Sequence, residues 1–340
     1  MIHKPVLAKE VLEILNPKTG EFFIDGTLGG GGHARLILEA LGNSGIFLGV
    51  DRDALAIEEF KKNTQFNKPK IILVNDNFSS LPQILATERL PRADGLILDL
   101  GISSDQLERT GRGFSFQKNE PLLMTFDDKQ KPVRDILNDV DEDELSRIIK
   151  EYSDERYSQS IAREIKRRLP LATTFALRET ILSAVPANYE NGRIDPATRT
   201  FMALRIYANQ EFENLKSILS RLSSIVKPGG RIAIITFHSN EDRIVKNVLR
   251  DAAKLGNLRL INKKVITAEY SEIKINPRAR SAKLRAAIMA SESEAFLDPT
   301  PEVLLTSSSF RNYSGIKPVT FSAFGGNLTH PHDYYRTTKK

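Results

Sequence analysis

The sequence predicts a parallel, doubly wound α/β sheet interrupted by a helical block, and three observations carry that reading. Short apolar runs alternate with segments of helical periodicity through residues 1–99. A glycine-rich loop sits between two of those runs, each of which ends on an acid. The texture then turns helical and charged, before a strand-like run returns at Arg231–Phe237.

In chain order, Glu21–Asp25 (EFFID) and Ile46–Asp51 (IFLGVD) read as buried strands, with a helix over His33–Leu41 between them. Ile71–Val74 and Leu96–Asp99 continue the strands, and Leu55–Lys62 and Leu81–Leu90 supply helices. From Gln106 to Ile206 helical, charged segments dominate, among them Asp141–Tyr152 and Arg156–Leu169. Phe212–Ile225 reads as one amphipathic helix and Lys227–Gly230 (KPGG) as a tight turn. The expected organisation is therefore a sheet core of residues 1–105 and 207–290 with an inserted helical domain over 106–206. Residues 291–340, rich in Ser, Thr, Pro and Gly, read as a disordered tail.

Composition narrows the function classes. The 340 residues are 40% hydrophobic and 27% charged, the mix of a globular protein with a real core. Cysteine is absent, which excludes disulfides, thiolate zinc sites and cysteine nucleophiles, and with five histidines no metal site is expected. No apolar run approaches the roughly 18 residues of a membrane span. Lys4, Lys9, Glu10 and Glu13 break up any signal peptide, so a cytoplasmic protein is expected. The net charge of +6 is unevenly spread. Arg243–Arg285 holds twelve lysines and arginines against three acids, Asp251, Glu269 and Glu272. Such a segment suits a polyanion, most simply nucleic acid, although a merely solvated face has the same charge count.

The loop DGTLGGGGHA (25–34) lets a ligand approach bare backbone, and the helix behind it offers free N–H groups. Asp51 ends the next strand, where an acid meets the ribose hydroxyls of an adenosine cofactor. Two ligands compete for this geometry. Gly29-x-Gly31-x-x-Ala34 passes as a dinucleotide fingerprint, which implies a nicotinamide-dependent oxidoreductase. Asp25, ahead of the glycines, suits S-adenosylmethionine better. His33 opens the helix and either meets the ligand or caps its own turn. Asp99 tips the strand of ADGLILDLGISSDQ (93–106), with Ser103 and Ser104 in the loop behind it. An acceptor there either holds the amine of a base and aims its lone pair, grips the cofactor, or only caps its turn.

The motifs DGTLGGGGH (25–33), DRD (51–53), DLGISSDQL (99–107) and RGFSF (112–116) run in one order with PATRTFMALRI (196–206), GGRIAIITFHSNEDRIVK (229–246) and NPRARSAKLR (276–285). Together they resemble the ribosomal RNA small subunit methyltransferase H family, over residues 1–288. The resemblance implies a class I methyltransferase fold, a Rossmann-like sheet with an inserted helical domain that recognises substrate. It implies methyl transfer from S-adenosylmethionine to N4 of a cytosine in the decoding region of 16S ribosomal RNA, free or in the small subunit. Carried over by position, cofactor contacts fall on Gly31, Gly32, His33, Asp51, Phe78, Asp99 and Gln106. Phe78 and Gln106 rest on the resemblance alone. Phosphate contacts are expected from Arg278, Arg280, Lys283 and Arg285, and Phe114 and Phe116 either stack on a splayed base or, as is more usual for aromatics at that spacing, belong to the core.

The sequence departs from the family in three places, one of them the segment after Ala290, which has no family counterpart. PLLMTFD (121–127) has Leu123 and Thr125 where the family shows an acid and an arginine, and Asn240 replaces a leucine. They leave open a protein that binds cofactor and RNA but has lost turnover.

Overall fold

The computed structural model describes residues 5–64, 69–101, 111–189 and 194–291, all within one compact unit, Met1–Pro299. The expected tail, apart from Ser291, lies outside the described residues.

The sheet half begins with α1 (Ala8–Leu15), β1 (Phe22–Asp25), α2 (Gly32–Leu41) and β2 (Ile46–Asp51). It continues through α3 (Ala54–Asn63), β3 (Lys70–Asn75), α4 (Leu81–Thr87) and β4 (Ala93–Asp99). A helical run follows: α5 (Val133–Asp139), α6 (Glu142–Ser153), α7 (Ser158–Arg168), α8 (Thr174–Ala184) and α9 (Ala197–Ala208). The chain returns through α10 (Glu211–Leu219) and α11 (Leu222–Ile225) to β5 (Val226–Thr236). It ends with α12 (Ser239–Lys254), β6 (Leu258–Leu260), α13 (Tyr270–Ile275) and β7 (Lys283–Met289).

Seven strands form one sheet in the order β3-β2-β1-β4-β5-β7-β6, parallel from β3 through β5, with β7 antiparallel to both its neighbours. Parallel strands covered by helices on both faces read as continuous apolar runs, and these do. Phe23, Phe47, Ile97 and Ala233 pack with α1, α2 and α3, while the alternating Ile24, Leu48, Leu96 and Ile232 are buried too. The order reverses direction between β1 and β4, which places a ligand crevice at their carboxyl ends.

Helices α5–α9 share a second core, built around Leu145, Ile161, Leu177, Phe201 and Leu204 with Phe114 and Met124. Asp141 starts α6 by accepting from the Glu144 N–H at 2.8 Å. Arg52, just past β2, ties this block to the sheet. Its guanidinium donates to Asp127 at 3.0 Å and to the Asn209 carbonyl at 3.1 Å, and lies 5.4 Å from the Phe126 ring.

Two expectations need correction. Lys227–Gly230 is part of β5 rather than a turn before it. The ladder passes from Ala93↔Val226 to Gly95↔Arg231, so these four residues bulge opposite Asp94, with Gly229 at φ +76° and Lys227 paired to Asp94. A bulge satisfies the glycines that suggested a turn. Phe212–Ile225 is two helices, because the chain bends at Ser220–Arg221 so that α11 can lead straight into β5.

Candidate functional site

The carboxyl ends of β1, β2 and β4 open into a cavity of about 470 Å³, lined by the acids that end all three strands, Asp25, Asp51 and Asp99. Gly26, Gly29, Gly30 and Gly32 present bare backbone to it. The loop is held by its own acids. Asp25 accepts from the Thr27 N–H at 3.0 Å, and the Thr27 hydroxyl oxygen accepts from the Asp99 N–H at 2.6 Å. Asp51 accepts from the N–H groups of Gly29 at 2.7 Å and Asp53 at 2.8 Å, which fixes the glycine loop against β2.

Gly31 requires a different reading, since it does not line the cavity. It caps α2 at φ +71°, and a Cβ there would lie 2.2 Å from the Phe60 ring. Chain path and packing alone require glycine at this position. Gly32 and His33 do line the cavity, and His33 Nε2 lies 3.8 Å from Asp99 Oδ2. Phe78 lines it from the short turn Phe78–Ser80, beside Asn77. Gln106, with Ser103 and Ser104, lies outside the described residues.

The opposite wall comes from the helical block and from the start of α12. Phe114 stacks on Phe126 at 5.1 Å, and Phe116 meets Phe201 edge-on at 5.2 Å. Phe114 and Phe201 also belong to the block's core, so they are wall and scaffold at once. Arg205 is paired to Glu211 at 2.8 Å, and His238 to Glu241 at 2.9 Å, all four lining the cavity. Glu211 lies outside the sequence motifs, and Arg205, His238 and Glu241 were quoted within them without a role. Their signal was position in those motifs; the pairing needs the third dimension.

Electrostatics separates the carboxylates. Burial pushes Asp99 up to about 8, aided by the negative charges of Asp25 and Glu241. Burial likewise carries Asp25 up to about 7 against the Thr27 N–H, and Asp51 to about 6 against the N–H groups of Asp53 and Gly29. Burial also opposes the charge on Glu241, yet His238, Arg205 and the Phe237 N–H hold it below the usual range. Asp99 keeps 27% of its side chain exposed, and its Oδ1 has no hydrogen-bond partner. A buried acceptor without a partner, on a residue that lines a cavity, suits a ligand's donor. Bare backbone, an acid on each strand end and this open acceptor fit a cationic adenosine cofactor.

The departures leave no stranded charge. Thr125 is buried, with its hydroxyl and carbonyl oxygens accepting from Arg112 at 3.3 Å. Asn240 donates to the Tyr152 carbonyl at 3.1 Å, joining α12 to α6.

The basic segment divides. Arg278 lines the cavity, Arg280 is exposed, and Lys283 is half-buried at the start of β7. Arg285 is the second correction at the site. Its guanidinium is forked onto Asp242 at 2.6 and 3.0 Å with 12% of the side chain exposed, so it clamps β7 to α12 and is spent as a phosphate contact. The basic helix around Arg163, Lys166, Arg167 and Arg168 is largely committed to Glu142, Glu164 and the Leu137 carbonyl.

No helix among the described residues is long and apolar enough to cross a membrane. Residues 1–289 match the MraW methylase family. The chain is 44% identical over 303 residues to the ribosomal RNA small subunit methyltransferase H of Syntrophotalea carbinolica, covering 84% of this chain and 96% of that protein. It is 42% identical over 304 residues to the protein of the same name from Geobacter sulfurreducens, covering 84% and 98%. The nicotinamide reading is thereby set aside: the chain belongs to the MraW methylase family.

Proposed function

We propose that this protein transfers a methyl group from S-adenosylmethionine to the N4 amine of a cytosine in the decoding region of 16S ribosomal RNA. The observation that carries the reading is one continuous cavity, running from the glycine loop past Asp99 to the aromatic wall of the helical block. Under this reading Gly32, His33, Asp51 and Phe78 hold the cofactor, and the helical block, residues 106–206, holds the substrate. The cofactor supplies an electrophilic methyl on a positively charged sulfur.

The amine of cytosine is a poor nucleophile because its lone pair is delocalised into the ring. Asp99, which lines the cavity and has an Oδ1 without a hydrogen-bond partner, accepts a hydrogen bond from that amine and turns the lone pair out of the ring plane. As the nitrogen–carbon bond forms and the carbon–sulfur bond breaks, the amine's surplus proton passes to Asp99. Positive charge in the cavity favours the ionised form of Asp99, reversing the effect of burial. Glu241, pinned by His238 and Arg205, keeps a fixed negative charge behind Asp99. The target base reaches the site only when swung out of its stack, and Phe116, Phe126 and Met202 give it an apolar wall.

The test is nucleoside mass spectrometry of small-subunit ribosomal RNA from a strain lacking the gene. N4-methylated cytidine should vanish and return with the restored gene. An unchanged nucleoside profile overturns the proposal.

A further inference from the structure

Helix α13 is an outlier in burial. None of its six residues is buried, and it carries two of the most exposed large apolar side chains among the described residues, Tyr270 at 74% and Ile275 at 68%. The helix is nevertheless anchored. Ile273 packs on the sheet core beside Ile266 and Ala268, and Glu272 accepts from the Leu7 N–H at 2.8 Å. Ala279 and Ala282 are fully buried just beyond it. The segment thus has a fixed inner side and an outer side of apolar plates.

Cations interleave those plates. Lys274 Nζ lies 5.5 Å from the Tyr270 ring centroid, and Arg280 is exposed. Arg278 and Ser281, at the far end of the same segment, line the cavity. Acids are outnumbered: the twelve lysines and arginines of Arg243–Arg285 face three, of which Glu269 directly precedes Tyr270, Glu272 accepts from the Leu7 N–H and Asp251 is paired to Arg250 at 3.1 Å.

We infer that Tyr270–Ser281 is a docking strip for single-stranded RNA beside the target cytosine, with an unpaired base stacked on Tyr270 and phosphates met by Lys274 and Arg280. This rests on the RNA methyltransferase reading and adds the surface on which the strand leaving the cavity is held. An exposed aromatic ring flanked by lysine and arginine on a cationic surface is one means by which proteins hold unpaired strands, and Tyr270 is the one ring of this strip. The ring takes the base face and the cations take the backbone. A protein partner of matching shape would have to be strongly acidic as well as apolar, whereas RNA supplies both properties in every nucleotide.

The experiment uses the full chain, tritiated S-adenosylmethionine and small-subunit ribosomal RNA from a strain lacking the gene. Binding is followed separately by anisotropy of a labelled twelve-nucleotide oligocytidylate, with S-adenosylhomocysteine present. Tyr270→Ala should raise KM for RNA and Kd for the oligonucleotide about tenfold, with kcat within twofold of wild type. Tyr270→Phe, which keeps the ring, should match wild type. The slope of log affinity against log salt should be unchanged in Tyr270→Ala and reduced by about 0.7 in Lys274→Gln, because only the second removes a phosphate contact.

A folded Tyr270→Ala with unaltered KM and Kd overturns the inference. So does a change in sedimentation of Tyr270→Ala without RNA, which assigns the face to a second copy of the chain. Tighter oligonucleotide binding on removal of residues 292–340, with Tyr270→Ala then losing nothing, assigns it to that segment and overturns it equally. Wild-type protein that transfers no label to this RNA, either free or within small subunits from the same strain, sinks the RNA methyltransferase reading itself. Transfer by wild type with an indifferent Tyr270→Ala sinks the docking strip alone.

Discussion

The cavity has two walls made by different means. On the sheet side, backbone does the shaping: glycines leave space, and Asp25 and Asp51 accept from loop N–H groups. On the helical side, side chains do it: Phe114, Phe116, Phe126 and Phe201 pack in two aromatic pairs, and Arg205 and Glu211 form an ion pair. A backbone wall fits a ligand of one fixed shape, while a side-chain wall can be altered residue by residue. That difference matches an invariant cofactor on one side and a substrate that varies among methyltransferases on the other.

Asp99 sits where the walls meet, and its substitution should have the largest effect. Asp99→Asn keeps the shape and removes the proton acceptor, so kcat should fall about a hundredfold or more. S-adenosylhomocysteine affinity should change only a few-fold. A parallel collapse of both would assign Asp99 to the cofactor and move the seam toward the sheet. The variant also tests the charge argument. Burial keeps a proton on Asp99 up to a pH of about 8 in the ligand-free protein, and a cationic ligand expels it. S-adenosylmethionine should therefore bind more tightly as pH rises from 6 to 8, with proton release in calorimetry. Asp99→Asn should lessen that rise and leave the part carried by Asp25 and Asp51, raised to about 7 and about 6. Folding stability of the ligand-free protein has the opposite slope. The unfolded chain gives up this proton near the ordinary 3.8, so stability falls as pH climbs from there toward 8.

Asp51→Ala should damage the backbone wall alone. Hydrogen bonds to a charged acceptor are worth about 1.5–3 kcal/mol, so calorimetry should show a ten- to hundredfold loss of S-adenosylhomocysteine affinity. RNA affinity should hold. Equal loss of both would mean that the loop also shapes the opposite wall.

The smallest expected effect separates the basic residues from one another. Arg278, Arg280 and Lys283 changed together to Gln should flatten the salt dependence of RNA affinity by about two units and leave cofactor affinity alone. Arg285→Gln should leave that slope intact and lower the melting temperature by a few degrees, since Asp242 loses its partner. A slope change from Arg285→Gln would return that residue to the RNA surface.

Much of the backbone wall was legible in the sequence, because its determinants are local. Strand ends, a glycine run and acids at fixed spacing place Asp25, Asp51 and Asp99 without knowledge of any distant residue. The side-chain wall was not legible. Arg205 finds Glu211 across the α9–α10 turn, and Glu241 is held below the usual carboxylate range by His238, Arg205 and the Phe237 N–H against the effect of burial. Arg285 misled for the same reason: its charge is visible in the sequence, whereas Asp242, which neutralises it, is brought close only by α12 packing on β7. The KPGG bulge shows the limit even for local reading. Proline and glycine mark a departure from regular chain, and only the facing Ala93–Gly95 ladder decides that it is a bulge.

The position of the helical block sets the order in which the protein can be assembled. β4 lies in the middle of the finished sheet, yet its neighbour β5 follows the whole of Val133–Ile225 in the chain. During synthesis β4 is an open edge, apolar on both faces, and such an edge invites pairing with the wrong chain. Closing so long a loop costs little extra free energy, about 0.6 kcal/mol for each doubling, but distant pairing is slow to find. Helices α5–α9, with a core of their own, contract that loop by local collapse and bring Asn209 to Arg52 at the carboxyl end of β2. The segment that forms the substrate wall is thus also the brace that lets β5 find β4, and a substitution that loosens its core costs folded yield before it costs chemistry.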